Sequence, residues 1–389
     1  MFRRTLTCAM GIIATLALSD VEAQSKVNGA APYFPPRGAG SAWERRRPAD
    51  VEMDSAAVQQ AVAFAIANEN AMPRDLRRAL EARTATEPSP GLLGPFRDRG
   101  GPAGLIIRHG YIVASWGDVD RVDMTFSVAK SYLATVAGLA LDAGLIRNVH
   151  DRVRDYVNDG GFEGRNAPIT WHHLLTQTSE WEGTLWDKPD VADRREGRDR
   201  TLREPGTFWE YNDVRVNRTA LALLRVWKRP LPEVLKERIM DPIGATSTWE
   251  WHGYRNSYVE TDGKRMQSVS GGGHWGGGVW ASTYDHARFG LLMLRRGKWA
   301  GRQLLSEKWI DMASAPTPIK PMYGYMWWVN QNGARYPAAS SASYFALGSG
   351  GNVIWIDPEH DLVVVTRWLA EQKINEFMAK VMESVAERE

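Results

Sequence analysis

The chain has 389 residues and a formal net charge of +2, long enough for one composite domain or two and too nearly neutral for a strong electrostatic partner. It carries no nucleic-acid motif and no glycine-rich phosphate loop followed by a lysine-bearing helix. Its single cysteine, Cys8, falls in the first segment, so the rest of the chain has neither disulfides nor thiol chemistry.

Arg3 and Arg4 precede a largely apolar run from Leu6 to Leu18, and Val21-Glu22-Ala23 offers small residues for cleavage. That pattern reads as a secretory signal over 1–23, cleaved near Ala23 and too short to span a bilayer. It implies a periplasmic or secreted protein without stable membrane insertion. Residues 24–50 are rich in Gly, Pro and Arg and read as an extended arm. Helices are expected over Ser55 to Ile66 and Arg74 to Ala82, followed by a Pro/Gly-rich stretch from Glu87 to Gly104. We assign 24–100 to an N-terminal arm with helices and 101–389 to the main domain.

Leu105 to Trp116 reads as a β-hairpin turning at His109-Gly110. Phe126 to Leu145 (FSVAKSYLATVAGLALDAGL) is apolar on most sides, which marks a core helix. From about 130 to 300 the chain reads as mostly helical with long loops, including a helix over Thr283 to Arg296 capped by Ser282 or Thr283. Strands are expected at Tyr323 to Asn330, Ser343 to Leu347, Val353 to Asp357 and Leu362 to Arg367. A closing helix runs from Leu369 to Glu389. A hairpin before the helical region and strands after it imply an α/β fold. One antiparallel sheet is built from both ends of the chain and flanked by helices, with a mostly helical domain inserted.

The chemistry centres on Ser127-Val128-Ala129-Lys130. Three residues apart on a helix, Ser127 and Lys130 share a face. A serine hydroxyl needs a base beside it to act as a nucleophile, and a lysine can be that base when its pKa is lowered. The start of a core helix also points unpaired N–H groups at developing negative charge. The four residues alone read first as a surface serine and a solvated lysine, because the pattern recurs by chance. Two other segments matter. Pro205 to Asp213 (PGTFWEYND) places Tyr211 after a turn, either as a half-buried structural tyrosine or as a proton carrier next to a lysine. Ala346-Leu347-Gly348-Ser349-Gly350-Gly351-Asn352 is either a glycine-rich turn or a strand end open to a ligand carbonyl. In the second case the Ser349 N–H faces that of Ser127 as an oxyanion hole. Seventeen tryptophans occur, and Trp181, Trp186, Trp209, Trp275 and Trp280 fall near these segments, as core filler or as a pocket wall. His172-His173 lacks the spacing of a zinc site. His274, in the glycine run 271–278, is placed as a possible pocket residue. No G-x-S-x-G elbow is present.

Together these motifs resemble the serine β-lactamase and penicillin-binding-protein-like superfamily. The similarity is to its class C β-lactamase-like branch, which includes esterases, D-aminopeptidases and 6-aminohexanoate-dimer hydrolases. Ser127 to Lys130 matches S-x-x-K, Tyr211 to Asp213 stands at Y-x-N, and Ala346 to Gly348 stands at K-T-G. Ile169 to Ser179 (ITWHHLLTQTS) and Gly276 to Ser282 resemble supporting segments, and the likeness covers roughly 100–389. It implies the β-lactamase/transpeptidase fold and an acyl-enzyme mechanism. Ser127 would be the nucleophile, Lys130 and Tyr211 its proton-handling partners, and the Ser127 and Ser349 N–H groups the oxyanion hole. Asp213 and Gly348 support them, and Trp181, Trp186, His274 and Ala346 are candidates for substrate contact.

Two departures bear on function. Ala346 replaces the lysine that the resemblance implies for binding a substrate carboxylate, so that charge-assisted bond, worth roughly 1.5–3 kcal/mol, is missing unless an arginine elsewhere supplies it. Asp213 replaces an asparagine. Paired with Lys130 it would raise the lysine pKa and leave Tyr211 as the better base. The expectation is an exported serine hydrolase of small esters or amides, needing no metal or organic cofactor, of carboxylesterase or 6-aminohexanoate-dimer-hydrolase type. The alternatives are a β-lactamase or D,D-peptidase that uses another cation, and a non-catalytic binding protein of the same fold.

Overall fold

The structure, a computed structural model, describes residues 32–38 and 42–385. The expected signal segment lies outside the described residues. In chain order the elements are α1 (Ser55–Ala67), α2 (Leu76–Thr84), β1 (Ala103–Arg108), β2 (Tyr111–Trp116), β3 (Asp123–Met124), α3 (Ala129–Asp142) and α4 (Trp171–Leu175). The short strands β4 (Thr184–Leu185) and β5 (Lys188–Pro189) precede α5 (Asp213–Trp227) and α6 (Leu231–Leu235). Then come β6 (Glu250–Thr261), β7 (Lys264–Val269), β8 (Gly278–Ala281), α7 (Thr283–Leu294), β9 (Lys298–Trp299), β10 (Arg302–Gln303) and α8 (Glu307–Ala313). The chain closes with β11 (Trp328–Val329), β12 (Tyr344–Gly348), β13 (Asn352–Asp357), β14 (Leu362–Arg367) and α9 (Ile374–Glu383).

The expected sheet built from both ends of the chain is present. It has six strands in the order β11-β12-β13-β14-β1-β2, antiparallel throughout. Strand alternation sends side chains to two faces, and here both faces are covered. Leu105, Ile107, Ile354, Ile356, Val363 and Val365 face α7 and belong to one core with the apolar residues of α3 and α5. Ile106, Val353, Trp355, Leu362 and Val364 pack with Val58, Ala61 and Ala65 of α1 and Phe377, Met378 and Val381 of α9. Burial on both sides explains why β13 and β14 read as nearly continuous apolar runs.

Local signals place the element ends well. His109 and Gly110 both have positive φ, 53° and 88°, the backbone of a tight hairpin turn. The Ser282 side chain caps α7 by accepting from Asp285 N–H, and Asn212 caps α5 through Arg215 N–H at 3.1 Å. The arm is tied down at the sheet edge, where Trp43 Nε1 donates to Gly110 O at 2.8 Å and Arg45 bridges to Ile112.

Other expectations need correction. The middle of the chain is not only helical, because it supplies three strands of a second antiparallel sheet, β3-β8-β6-β7, whose fourth strand, β3, comes just before it. Glu250 to Thr261 is too polar and too irregular in alternation to announce a strand. The strand expected over 323–330 shrinks to Trp328–Val329, because Met326 takes φ 57° and turns the chain. The closing helix begins only at Ile374. Among the described residues no helix is long and apolar enough to cross a membrane.

Arg367 at the end of β14 joins the two sheets. It is 3 % exposed. Its Nε donates to Asn352 Oδ1 at 2.7 Å, Nη1 to Ala281 O at 2.8 Å and Nη2 to Met124 O at 3.2 Å. Removing it orphans three buried acceptors, each worth about 1–3 kcal/mol. Arg367→Leu is therefore expected to lower stability by roughly 3 kcal/mol or more. Urea unfolding followed by circular dichroism reads this, and an unchanged midpoint would contradict it.

Candidate active site

The start of α3 is unusual before any function is considered. Phe126 has φ +50°, a region that bulky residues rarely adopt and that costs about 1–3 kcal/mol. The surroundings enforce it. Thr125 donates to Val279 O from both N–H (3.0 Å) and Oγ1 (2.7 Å), and the Phe126 ring sits edge-on to Trp368 at 6.3 Å. The strained turn delivers Ser127 to the floor of a cavity of about 510 Å³.

Lys130, one turn on, is 1 % exposed, and its Nζ donates to Ser127 Oγ at 2.9 Å. The same Nζ lies 2.5 Å from Asp213 Oδ1, in a fully buried ion pair. Burial by itself pulls the Lys130 pKa down, but the attraction of Asp213 and the smaller contribution of Tyr211 outweigh it, and the ammonium is held above its ordinary value. Burial pushes Asp213 up, yet Lys130, His274 and Arg195 together hold it down at about 2. Asp213 also sits in the first turn of α5, where negative charge is favoured. Both groups are thus charged across the neutral range. Gly272 makes the pair possible, since a Cβ there would collide with Asp213 Oδ2 and Lys130 Nζ.

Tyr211 is 8 % exposed and lines the cavity. Its ring is stacked on Trp328 at 6.0 Å and faces Tyr323 edge-on at 6.2 Å. Two cations lie over the ring, Lys130 Nζ at 4.6 Å and the Arg195 guanidinium at 4.7 Å from its centroid. Gln177 locks the neighbouring chain by donating to Tyr323 Oη and accepting from Asn212 N–H, both at 2.8 Å.

The end of β12 closes the other side. Gly348 approaches the Ser127 turn so closely that a Cβ would strike Thr125 O and crowd the Ser127 and Val128 nitrogens. That contact brings Ser349 into the same cavity as Ser127.

The cavity gathers Ser127, Tyr211, Asp213, His274, Gly348 and Ser349, with Lys130 directly beneath Ser127. It does not gather Trp181, Trp186 or Ala346. The Trp181 indole is buried and donates to Gly161 O at 2.7 Å. Trp186 sits at the β4–β5 turn with φ 52°. Ala346 is a core residue at 1 % exposure. Trp275 and Trp280 are also core. Of the five tryptophans considered, only Trp209 lines the cavity, and Trp328, hidden within an expected strand, joins it.

The residues missed are mostly charged. Asp193 Oδ2 accepts from Asp213 N–H at 2.6 Å, and its other oxygen meets Arg195 Nη2 at 3.3 Å. Burial, more than any neighbour, raises the Asp193 pKa. Glu87, from the Pro/Gly-rich stretch, holds His274 Nε2 at 2.5 Å and Trp275 Nε1 at 2.6 Å. Polar atoms of Asp193, Asp213 and His274 lie within 4.8 Å of one another, but Lys130 and Arg195 already balance those carboxylates, so the cluster reads as an ion-pair network. No spacing rule links Glu87 or Asp193 to Ser127. Arrangements of this kind suit acyl transfer: a hydroxyl beside an ammonium, a phenol between cations and a strand end facing the hydroxyl.

The profile of the beta-lactamase family matches residues 106–368. A 6-aminohexanoate-dimer hydrolase of Paenarthrobacter ureafaciens is 24% identical over 290 residues, 66% of this chain and 68% of that protein. Among solved structures, a D-stereospecific amidohydrolase from Streptomyces sp. superposes with a TM-score of 0.55 at 16% identity, covering 85% of this chain and 98% of the other. A family VIII carboxylesterase superposes with a TM-score of 0.53 at 16% identity, covering 73% and 92%. With a family match across most of its length and this architecture, the chain belongs to the beta-lactamase family and is a hydrolase of the beta-lactamase fold.

Proposed function

We propose that the protein is a serine hydrolase that cleaves a small ester or amide through an acyl-enzyme on Ser127. The observation that carries this reading is the 2.9 Å bond from a buried, Asp213-paired Lys130 to Ser127 Oγ at the floor of the cavity. The names borne by the Paenarthrobacter relative and by the amidohydrolase and carboxylesterase neighbours support ester or amide chemistry. If the N-terminal segment acts as the signal its pattern suggests, the enzyme works in the periplasm or outside the cell.

Ser127 Oγ attacks the substrate carbonyl carbon. Lys130, already an ammonium, does not take the proton. Tyr211 acts as the base in its phenolate form and receives the Ser127 proton, with Lys130 and Arg195 over its ring to meet the negative charge. The tetrahedral oxyanion is met by the Ser127 and Ser349 N–H groups. Collapse breaks the bond to the leaving alcohol or amine, which takes the proton from Tyr211. Water, deprotonated by the same oxygen, then attacks the acyl-enzyme; the bond from the acyl carbon to Ser127 Oγ breaks, Oγ takes the proton back from Tyr211, and the acid leaves.

Intact-mass labelling with a fluorophosphonate should show one adduct that disappears in Ser127→Ala, and an adduct retained in that variant would overturn the assignment. A panel of p-nitrophenyl ester, linear amide dimer and chromogenic cephalosporin separates esterase, amidase and β-lactamase. Turnover of the cephalosporin far above the other two would reverse the preference stated here. Asp213→Asn removes the main attraction that opposes the burial of Lys130. Its pKa should fall, moving the alkaline limb of the kcat/KM–pH profile down by about one unit or more; an unmoved limb would show that the pair does not control the lysine. Gly272→Ala should separate Lys130 from Asp213 and cut kcat/KM by about a hundredfold, whereas a change within twofold would show that the pair tolerates displacement.

A further inference from the structure

We infer that the acyl part of the substrate carries an apolar chain of several carbons, bound at the far end of the cavity by Leu347, Val353 and Ile374. This rests on the hydrolase reading above and narrows it to a substrate class. The cavity does not stop at Ser127. It passes around the ends of β12 and β13 from one face of the main sheet to the other. Val128 and Ala129, next to Ser127, belong to the core on the face of Ile354 and Val363. Leu347, Val353 and Ile374 line the same cavity but pack on the opposite face, with α9.

Strand pairing builds this end. Leu347 and Val353 stand opposite each other in the register of β12 and β13, so their side chains share a face. Ile374, the first residue of α9, is buried in the same cluster. The polar groups along the way are engaged elsewhere. Asn352 Nδ2 donates to Ser349 O and its Oδ1 accepts from Arg367 Nε, both at 2.7 Å. Glu371 Oε1 accepts from Gly350 N–H at 2.9 Å. Arg83 reaches Ser349 Oγ at 3.3 Å, and the Arg335 guanidinium lies over the Trp328 ring at 4.4 Å. Behind Val353 and Ile374 is a second gap, walled by Trp355, Thr366, Phe377 and Met378 and too narrow for a water molecule. Its two polar side chains have partners: Trp355 Nε1 donates to Ser343 Oγ at 2.9 Å and Thr366 Oγ1 to Gly351 O at 3.1 Å. A dry gap of this kind suits hydrocarbon. Val353 and Ile374 face both spaces, so they form the partition that sets chain length. The chain belongs to the acyl side, because the leaving group must stand at Tyr211 to take its proton. Tyr211 stacks on Trp328 of β11, whereas Val353 lies two strands away on β13. Ile374 also falls beyond the family segment at 106–368.

The test is a series of p-nitrophenyl esters from acetate to dodecanoate. In wild type, kcat/KM should rise by about fourfold per methylene from acetate to hexanoate, as each is buried, and fall once the chain meets the partition. Ile374→Ala should move the optimum to chains about two to three carbons longer, matching the side-chain carbons removed. Leu347→Trp, which fills the cavity, should move it to shorter chains. Alkyl acetates, varied on the alcohol side, should show no shift in Ile374→Ala. A flat acyl series in wild type, an optimum unmoved in both variants, or a length dependence confined to the alkyl acetates overturns the proposal. Binding to Ser127→Ala, read by tryptophan fluorescence, separates this proposal from the catalytic one. That variant should bind hexanamide about tenfold more tightly than butanamide. Such a gain without turnover of any ester upholds the apolar subsite and strikes the hydrolase reading alone. Equal binding of the two amides overturns the subsite whatever the turnover.

Discussion

The buried ion pair between Lys130 and Asp213 is the constraint around which the site is arranged. Two charges out of water are tolerated only when each is closely paired and hydrogen-bonded. Here the ammonium has Asp213 at 2.5 Å, Ser127 Oγ at 2.9 Å and the Tyr211 ring face at 4.6 Å. The partners come from two parts of the chain: Ser127 lies one turn before the lysine, and Tyr211 and Asp213 stand two residues apart where the chain enters α5. Satisfying the lysine therefore draws the turn before α3 and the segment leading into α5 to one point. Gly272 leaves the room they need. In the proposed mechanism the same pairing keeps the lysine charged, so proton transfer is assigned to Tyr211 and Lys130 keeps an electrostatic role.

Around that centre the protein invests in rigidity. Phe126 is held at a strained φ by Thr125 and Trp368, and such strain persists only where packing over-determines it. Trp328 and Tyr323 fix the Tyr211 ring. Arg367 ties both sheets together behind the site. A site built on fixed elements positions reacting groups before substrate arrives, which is where much of the rate advantage of such sites originates.

Segments flanking the family core complete the cavity. Glu87 orients His274, Arg83 stands at Ser349, and Glu371 lies against Gly350. All three fall outside residues 106–368.

Much of this was legible in the sequence, for local reasons. Hairpin turns, helix caps and the two-face burial of β13 and β14 follow from backbone preferences and periodicity within a few residues. S-x-x-K is legible because helical spacing alone puts Ser127 next to Lys130. Even the pairing of Asp213 with that lysine was readable, because an acid standing where an amide was expected has an obvious partner. The second sheet was not, since β6 is polar and its register depends on β8. The tryptophans stayed open between core and pocket because their indoles pack equally well in either, and only the packing of neighbours separates Trp181 from Trp209. Glu87, Asp193, Arg83 and Arg335 were invisible because nothing in sequence spacing relates a loop or helix end to a serine tens to hundreds of residues away. The sequence by itself determined the main strands, the core helix and the contact between Ser127 and Lys130, all of which rest on short-range geometry. Only the tertiary structure decided the charge states of the reacting groups and the cation pattern of the cavity, because both depend on burial and on which distant side chains come within a few ångströms.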